Sequence, residues 1–384
     1  MSKENEAVIL SAARTPIGKF QGSLASLPAT QLGAIAVKAA VERAGINPEE
    51  IEEVIMGNVV QAGEGQAPAR QSSIHAGVPA TVGATTVNKV CGSSLKSAMM
   101  AAQAIRAGDA DLFVAGGFES MSRAPYLVAG RSGELKFGNQ ALTDALLNDG
   151  LWDPFENWGM GMAAEFIADE YEVTREAMDQ LALRSHEKAL AAQEAGKFNA
   201  EIVPVQIAGR KGAVTEVAQD EGPRKETTLE ALSKLKPAFK ADGRVSPGNA
   251  SQMSDGGVAV VVASRAYAGK NGLKPMARIV GYAQAAVEPK YLFAAPAHAM
   301  PKLLKRIGWT LADVDLIELN EAFAAQVLAD GYALANDGWD WDKVNVNGGA
   351  IALGHPLGAS GARVLTTLLY ALQDRGLKRG IASL

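Results

Sequence analysis

The sequence predicts an α/β protein built around an internal repeat. Short apolar runs that end at turn residues alternate with segments of helical spacing over most of the 384 residues, which is typical of layered α/β domains. The order of elements near the N-terminus recurs near the C-terminus, and such a recurrence indicates a duplicated domain. The 40 glycines and the aromatic content of 6% favour close packing of small side chains, in a chain long enough for two or three domains.

The first copy of the repeat begins with a predicted strand over 8–13. Each predicted helix ends where glycine follows it, because glycine is the usual residue just past a helix C-terminus. We expect Gly116 and Gly117 to close the last strand of this copy. The remaining predicted elements are helix 30–44, strand 54–56, strand 85–90 leading into helix 93–107, and strand 112–115.

Cys91 is the only cysteine, and it stands between a predicted strand and the helix that follows. Free N–H groups and the helix dipole favour an anion there, so we expect the thiol pKa to fall below its reference value of about 8.5. The small residues that follow, Gly92, Ser93 and Ser94, would let a substrate carbonyl approach the sulfur. The alternative is a small buried hydrophobic residue, a common environment for a lone cysteine.

A long insertion, about 122–251, separates the two copies. Thr174 is predicted to cap a helix over 175–195, and the run 202–207 followed by 210–212 predicts a hairpin. The apolar run 258–262 is predicted to be a strand that returns to the first copy.

The second copy repeats this order from strand 278–283 through helix 301–307 to strand 316–319. Thr310 opens a capping-box pattern before the latter strand, and Asn320 follows it as Asn58 follows its own strand. The segment 345–347 is expected to be a strand that corresponds to the one ending at Val87 and Asn88 in the first copy. Helix 361–373 then corresponds to the helix after Cys91. Residues 380–384 match strand 112–115, and the repeat therefore predicts a second copy that is cut short by a turn or more.

Charge and composition exclude several classes of protein. A net charge of −5 gives no sign of wholesale nucleic-acid binding. A single cysteine rules out an intramolecular disulfide and fits a reducing compartment. The N-terminus is polar rather than a signal peptide, and no apolar run approaches the ~18 residues that a membrane span needs. We therefore predict a cytoplasmic protein with no membrane span and no metal, since no ligand spacing for one is present.

Histidine is scarce, and one of the four lies in a glycine-rich turn of the second copy. His355 occupies the place that corresponds to Cys91 in the first copy, so packing around a pseudo-twofold axis would bring the two side chains together. Imidazole beside a thiol is the arrangement of an activated nucleophile. A core histidine bonded to a backbone carbonyl is the alternative. His186, which has charged neighbours, is predicted to lie on a solvated helix face.

Three long motifs follow one another along the chain: VNKVCGSSLKS around Cys91, NEAFAAQ from Asn320, and NGGAIALGHPLGASGAR around His355. Together they resemble the thiolase family, the acetyl-CoA acetyltransferases and 3-ketoacyl-CoA thiolases. The segments AARTPIGKFQG, GGFESMS and GNAS (248–251) are similar to further family segments. The resemblance spans nearly the whole chain.

The resemblance implies a thiolase-like fold, with two repeated βαβαβ-type domains in a five-layered αβαβα core plus a loop domain. The N-terminal domain would comprise 1–121 with 252–272, the CoA-binding loop domain 122–251, and the C-terminal domain 273–384. The resemblance also implies a homodimer or homotetramer, with 131–149 as the candidate for contact between dimers.

The same resemblance implies an acyl-CoA C-acyltransferase that forms or cleaves 3-ketoacyl-CoA, with acetoacetyl-CoA as the expected substrate. Cys91 would carry the acyl group. His355 would activate Cys91 and, with a water held by Asn320, stabilise an enolate oxygen. The N–H of Cys91 would belong to a second oxyanion hole, where one donor is worth about 3 kcal/mol. Coenzyme A thioesters would be the substrates, with no permanently bound cofactor.

Positions in the insertion and in the second copy match those that line the CoA and acyl channel of the family. They are Leu151, Met160, Arg224, Phe239, Ser251 and Phe323. Basic residues of the insertion could also meet the CoA phosphates. These are Arg210, Lys211, Arg224, Lys225, Lys234, Lys236, Lys240 and Arg244. Acidic residues are interleaved with them, so a solvated surface is the favoured alternative for most.

The sequence departs from the family in two places. Family members usually continue past the position of Leu384 with a CxGGGxG loop, whose cysteine is the acid/base of condensation. Condensation by these 384 residues is therefore in doubt, and the C-terminal domain looks truncated before that loop. Gly159 stands where acetoacetyl-CoA thiolases often place a histidine, and 291–300 departs from the usual MGxGP pattern, which leaves the acyl chain open. The alternatives are a thiolase-like protein that binds acyl-CoA without condensing it, and a related ketosynthase.

Overall fold

The N-terminal half of the chain alternates strands and helices in the predicted order. The computed structural model describes residues 4–128, 130, 133, 137–209 and 212–384. The first elements are β1 (Ala7–Arg14), β2 (Gly18–Lys19), α1 (Ala29–Ala44), β3 (Glu53–Gly57), α2 (Pro68–His75), β4 (Gly83–Val87), α3 (Ser93–Ala107) and β5 (Leu112–Ser120).

The insertion contains short hairpins and helices. The Thr174 hydroxyl accepts the N–H of Ala177 and so caps the longest helix here, as the sequence predicts. The predicted hairpin is present as two strands, although Arg210 and Lys211 lie outside the described residues. The elements are β6 (Tyr126–Leu127), β7 (Thr143–Asp144), β8 (Trp152–Asp153), β9 (Trp158–Gly159), α4 (Met160–Glu170), α5 (Arg175–Glu194), β10 (Val205–Ala208), β11 (Val214–Val217) and α6 (Leu229–Ser233).

The C-terminal part returns first to the N-terminal sheet and then forms the second repeat. The capping box at Thr310 is present, with Asp313 as its second member. The elements are β12 (Ser254–Ser264), α7 (Arg265–Lys270), β13 (Ala277–Arg278), α8 (Ala295–Ile307), β14 (Leu316–Leu319), α9 (Ala324–Ala333), α10 (Ala350–Leu353), α11 (Ser360–Asp374) and β15 (Gly380–Ser383).

A seven-stranded mixed sheet in the order β13-β1-β12-β5-β3-β4, with β2 beside β12, forms the N-terminal layer. The returning strand β12 inserts between β1 and β5 and is antiparallel to both. β3 runs parallel to β5 and to β4. Because these parallel strands end at one edge of the sheet, the residues that follow them lie close together. Asn58, the Cys91 turn and the end of β5 meet at this edge.

Five layers follow from how the helices cover the sheets. Helices α1 and α2 cover one face of the seven-stranded sheet, and α3 covers the other. α11 packs on α3 and on the parallel pair β14–β15. Apolar residues of α8 and α9 then pack on the far side of that pair, including Met300, Leu304 and Val327. The order is therefore α, β, α, β, α, which confirms the predicted fold class.

Strand β5 is longer than predicted, because its glycines do not end it. A Cβ at Gly116 would lie 2.1 Å from the carbonyl oxygen of Val258, and one at Gly117 would lie 2.0 Å from that of Gly358. These glycines therefore permit close approach of neighbouring backbones inside a continuous strand. The second contact brings the end of β5 against the turn that carries His355.

Two predicted strands of the second copy are wrong in extent or in kind. The segment 278–283 is a strand only at Ala277–Arg278, because the Arg106 guanidinium takes the carbonyls of Ile279 and Val280. The segment 345–347 is a turn. The side chain of Asn345 makes the hydrogen bonds to β14 that the backbone of a neighbouring strand would otherwise make. Its amide oxygen accepts the N–H of Leu319 at 2.9 Å, and its amide nitrogen donates to the carbonyl of Leu319 at 2.8 Å.

Candidate active site

Cys91 lies in a tight turn between β4 and α3. The preceding residue, Val90, has a φ of 47°, a left-handed conformation that is unusual for a β-branched residue. The Asn88 amide oxygen accepts the Val90 N–H, and the Ser93 hydroxyl donates to the Val90 carbonyl while it accepts the N–H of Lys89. These bonds hold the turn in its strained form and fix the direction of the sulfur.

The structure places the thiol of Cys91 beside the imidazole of His355. Sγ lies 3.3 Å from Nε2, although the two residues are 264 positions apart. On the other side of the ring, Nδ1 lies 2.6 Å from the hydroxyl of Ser360, and that hydroxyl donates its own hydrogen to the carbonyl of Pro356. Nδ1 must therefore be the protonated nitrogen, because Ser360 has only an acceptor left for it. Nε2 then offers a lone pair to the thiol.

Burial keeps both members of this pair neutral. It raises the pKa of Cys91 to about 12, with a further contribution from the charge of Glu119. Burial also lowers the pKa of His355 to about 3, and the charge of Arg363 adds to this effect. The expectation of a lowered thiol pKa is thus wrong, because burial and the charge of Glu119 outweigh the one lowering contribution, a backbone hydrogen bond at Cys91. The pair is a thiol facing a neutral base, which can pass the proton only as the sulfur attacks.

Asn320 completes the cluster at the end of β14. Its amide nitrogen lies 3.5 Å from both ring nitrogens of His355, and its amide oxygen faces the guanidinium of Arg363 at 3.5 Å. Arg363 is 1% exposed and pairs with the buried carboxylate of Glu318 at 3.3 Å. The arginine therefore sets the orientation of the Asn320 amide, since only the oxygen end can accept from it.

Glu119, at the end of β5, joins the turns of the two repeats. Its carboxylate accepts the N–H groups of Val59, Val60 and Gly358 at 2.9 to 3.1 Å and the amide of Asn58 at 3.0 Å. Burial raises its pKa to about 7 despite these bonds. Glu119 thereby fixes the His355 turn relative to the first repeat.

The predicted channel residues fall into separate groups. Leu151 packs in the apolar cluster that includes Cys91. Phe323 and Met160 pack in a second cluster, and the ring of Phe239 meets that of Phe323 edge to face at 6.3 Å. The N–H of Ser251 donates to Ala322 next to this cluster.

Arg224 lies apart from these groups on an exposed segment, and its main chain is held by a residue whose environment was predicted wrongly. The N–H of Arg224 donates to Nδ1 of His186 at 3.1 Å. His186 is 3% exposed rather than solvated, because α5 packs against α10 and buries this face. Burial and the charge of Arg224 lower the pKa of His186 to about 4.

Most of the other basic residues of the insertion belong to the surface. Lys234 pairs with Glu230, while Lys240 and Arg244 share Asp169. Lys225 and Lys236 are exposed. Arg210 and Lys211 lie outside the described residues. Of the interleaved acidic residues, Glu230 takes one of these charges, whereas Asp169 belongs to α4, outside the basic stretch.

Besides Glu119, three supporting residues escaped the sequence reasoning. Ser360 follows His355 by five positions at the start of α11, and a hydroxyl so placed within the motif is a usable signal. Arg363 and Glu318 lie within apolar elements, where a buried opposite pair is expected near a site. Among the described residues there is no group of three or more histidine, cysteine, aspartate or glutamate side chains that could hold a metal ion.

Comparisons with known proteins agree with this architecture. Residues 7–266 match the model of the thiolase N-terminal domain, and residues 273–384 match that of the thiolase C-terminal domain. The chain is 54% identical to an acetyl-CoA acetyltransferase of Cupriavidus necator over 379 residues, 99% of this chain and 96% of that protein. It is 53% identical to one of Escherichia coli, over 98% of this chain and 95% of that protein. A crystal structure of the Bacillus anthracis acetyl-CoA acetyltransferase superimposes with a TM-score of 0.94 at 41% identity, covering 98% of this chain and 94% of that one.

The fold and the site define a layered α/β protein with a cysteine and histidine arranged as an activated nucleophile. Both halves of the repeat are needed for the pair, since each contributes one member. The chain belongs to the thiolase family.

Proposed function

We propose that the protein is an acyl-CoA C-acyltransferase that interconverts acetoacetyl-CoA and CoA with two molecules of acetyl-CoA. The observation that carries this proposal is the 3.3 Å contact between Sγ of Cys91 and Nε2 of His355, with the tautomer of the imidazole fixed by Ser360. Relatives over 50% identical carry the name acetyl-CoA acetyltransferase.

In the cleavage direction Cys91 attacks the C3 carbonyl of acetoacetyl-CoA. As the S–C bond forms, the thiol proton passes to Nε2 of His355, and collapse of the adduct breaks the C2–C3 bond. The acetyl-CoA enolate that leaves takes that proton from Nε2 of His355 and becomes acetyl-CoA, so the imidazole is neutral again. As the thiol of free CoA then attacks the acetyl-enzyme, its proton passes to Nε2 of His355 and from there to the departing sulfur of Cys91. This step releases a second acetyl-CoA and restores the thiol of Cys91. Condensation is the reverse sequence.

The oxygen charges of this reaction need donors. By resemblance, the enolate oxygen would sit between His355 and a water held by Asn320, and the N–H of Cys91 would face the thioester oxygen. The buried Arg363 and Glu318 support this role, because they orient the amide of Asn320. Preorganised donors of this kind stabilise the transition state without having to reorient.

Coenzyme A would lie along the loop domain, 122–251, with the adjoining part of the second repeat. Phe239 and Phe323 would flank the pantetheine, Met160 and Ser251 would line the same passage, and Leu151 would border the acyl group. Arg224 would meet a phosphate of the nucleotide, because its guanidinium is on an exposed segment. The thioesters are substrates, and we propose no permanent cofactor.

The experiment that tests the proposal is intact mass measurement before and after incubation with acetoacetyl-CoA. One acetyl group on the peptide that contains Cys91 is the expected result. The same mixture with added CoA should convert acetoacetyl-CoA to acetyl-CoA, as followed by chromatography. A folded protein that binds CoA but gains no acetyl group would contradict the proposal and favour a protein that only binds acyl-CoA.

We further propose a homodimer or homotetramer in a reducing compartment, the cytoplasm. Several large apolar side chains around the segment 131–149 are exposed, which supports contact with another subunit. They include Tyr126, Leu142 and Phe155; part of 131–149 lies outside the described residues. No helix in the described ranges is long and apolar enough to cross a membrane. Light scattering coupled to size exclusion would measure the subunit number.

A further inference from the structure

Gln252 stands where the insertion returns to the first repeat, one position after Ser251 and two before β12. Its amide nitrogen donates to three main-chain carbonyls, those of Gly222 at 3.1 Å, Ile351 at 3.0 Å and Ala352 at 3.1 Å. An amide has two N–H groups, so at least one is shared between two carbonyls. The side chain therefore ties the segment before Arg224 to helix α10, which precedes His355.

The two oxygens of Gln252 face the two parts of the proposed site. Oε1 accepts from the Arg224 guanidinium at 3.2 Å, and the main-chain carbonyl accepts the N–H of His355 at 3.0 Å. The orientation of the amide is set by its partners, since three carbonyls need a donor and a guanidinium needs an acceptor. One residue thus contacts both the exposed arginine and the backbone of the base.

The parts that Gln252 joins are closely fitted. A Cβ at Gly222 would lie 2.2 Å from the carbonyl oxygen of Ala352, so the two backbones touch. The main chain of Arg224 is held a second time by His186. A shift of the segment that carries Arg224 would therefore displace α10 and the His355 turn, because the two backbones are in direct contact.

We propose that Gln252 is a positioning residue that couples Arg224, at the nucleotide end of the substrate, to His355 at the reacting end. This inference rests on the proposed function and on the placement of CoA against Arg224. Its consequence is that binding energy gained at the nucleotide, far from the reacting carbon, contributes to the rate of acyl transfer as well as to affinity.

The test is a double-mutant cycle with Gln252→Leu and Arg224→Ala, in the full chain, with acetoacetyl-CoA. The half-saturating concentration and the saturated rate of Cys91 acetylation are measured by rapid quench and intact mass. Each single substitution should raise the half-saturating concentration about 10-fold, the usual size of one lost hydrogen bond to a charged group. In the double variant the half-saturating concentration should rise about 10-fold rather than about 100-fold, since both substitutions remove the contact between Gln252 and Arg224.

The saturated rate separates coupling from a merely structural role. Arg224→Ala should itself slow this rate about 10-fold, and Gln252→Leu should slow it little further in the Arg224→Ala background, because both substitutions break the same link between Arg224 and helix α10. Equal slowing by Gln252→Leu in both backgrounds would indicate a merely structural role. Gln252→Glu, which keeps the acceptor for Arg224 but loses the N–H donors, should restore the half-saturating concentration without restoring the rate. The matched control is Gln193→Leu. Gln193 donates to the carbonyl of Asp220 on the same segment and contacts neither Arg224 nor the His355 turn, so both constants should stay within about twofold.

Additive effects of the two substitutions on half-saturation, or a Gln252→Leu variant with wild-type constants, would overturn the proposal. Should the leucine variant not fold, Gln252→Asn keeps the amide, draws it back by one methylene and enters the same cycle. Wild-type protein that acquires no acetyl group counts against the proposed function instead. The cycle is then measured as CoA dissociation constants, in which non-additivity supports the link from Gln252 to Arg224 and additivity refutes it.

Discussion

The bond between Ser360 and His355 makes the most specific prediction. Substitution of Ser360 by alanine removes the acceptor that lies 2.6 Å from Nδ1, in a place where the serine is 1% and the histidine 5% exposed. A buried N–H left without an acceptor costs about 1 to 3 kcal/mol. The other tautomer then becomes favourable, and its proton on Nε2 would face the thiol of Cys91. A ring nitrogen that carries a proton cannot accept another. In this tautomer His355 therefore cannot take the thiol proton as the sulfur attacks, and the attack step becomes slower.

At about 1.4 kcal/mol per factor of ten, we expect acetylation of Cys91 to slow about 10- to 100-fold at saturating acetoacetyl-CoA. Half-saturation should change little, because Ser360 lies behind the ring and away from the proposed CoA channel. The assay is rapid quench followed by intact mass.

The matched control is Ser97→Ala. Ser97 is a buried helix serine that donates to Ser94 and accepts the N–H of Gly116, and no bond joins it to His355. Its loss should lower the melting temperature by a similar amount and leave acetylation unchanged. A Ser360→Ala rate within threefold of wild type would refute the tautomer argument.

Three further predictions follow from burial and charge. The thiol of Cys91, with its pKa raised to about 12, should react with iodoacetamide about tenfold faster per pH unit from pH 7 to 9, whereas a pH-independent rate would indicate a preformed thiolate. Burial lowers the pKa of His186 to about 4, so as the pH falls below about 6.5 the unfolded chain binds a proton at this histidine before the folded chain does. The free energy of unfolding, measured in urea, should therefore drop by up to about 3 kcal/mol between pH 6.5 and 4. The drop should be smaller in His186→Gln. Arg14→Met should destabilise the fold by about 3 to 5 kcal/mol in the same assay, because the buried carboxylates of Glu201 and Asp220 lose their partner; a change below 1 kcal/mol would contradict this.

Local signals predicted much of the fold. Helix α3 has the bounds that helical spacing and Gly108 indicate, and Gly108 has the left-handed conformation of a helix C-terminus. The capping box at Thr310 was also predicted from a local pattern, in which Asp313 follows Thr310 by three positions. The errors arose where a side chain took over a backbone role, as Asn345 does beside β14 and Arg106 does beside 279–280. No pattern of apolar residues reports such a replacement.

The site could be predicted in its members but not in its electrostatics. The repeat suggested that Cys91 and His355 lie in equivalent turns, and the structure has them in contact. The ionisation of the thiol depends on how much water the second repeat excludes, which is a property of the assembled layers. His186 was misjudged for the same reason. Its charged neighbours along α5 describe the other faces of the helix, and only tertiary packing shows that this face is covered.

The separation of 264 residues between nucleophile and base has a consequence for biosynthesis. At a translation rate of about 5 to 20 residues per second, Cys91 leaves the ribosome on the order of tens of seconds before His355 exists. During that interval the sulfur is an ordinary solvated thiol, open to oxidants and electrophiles in the cell. The sulfur contacts His355 and is removed from water only when the second repeat docks. The nascent chain therefore has a period of chemical vulnerability that the finished protein lacks.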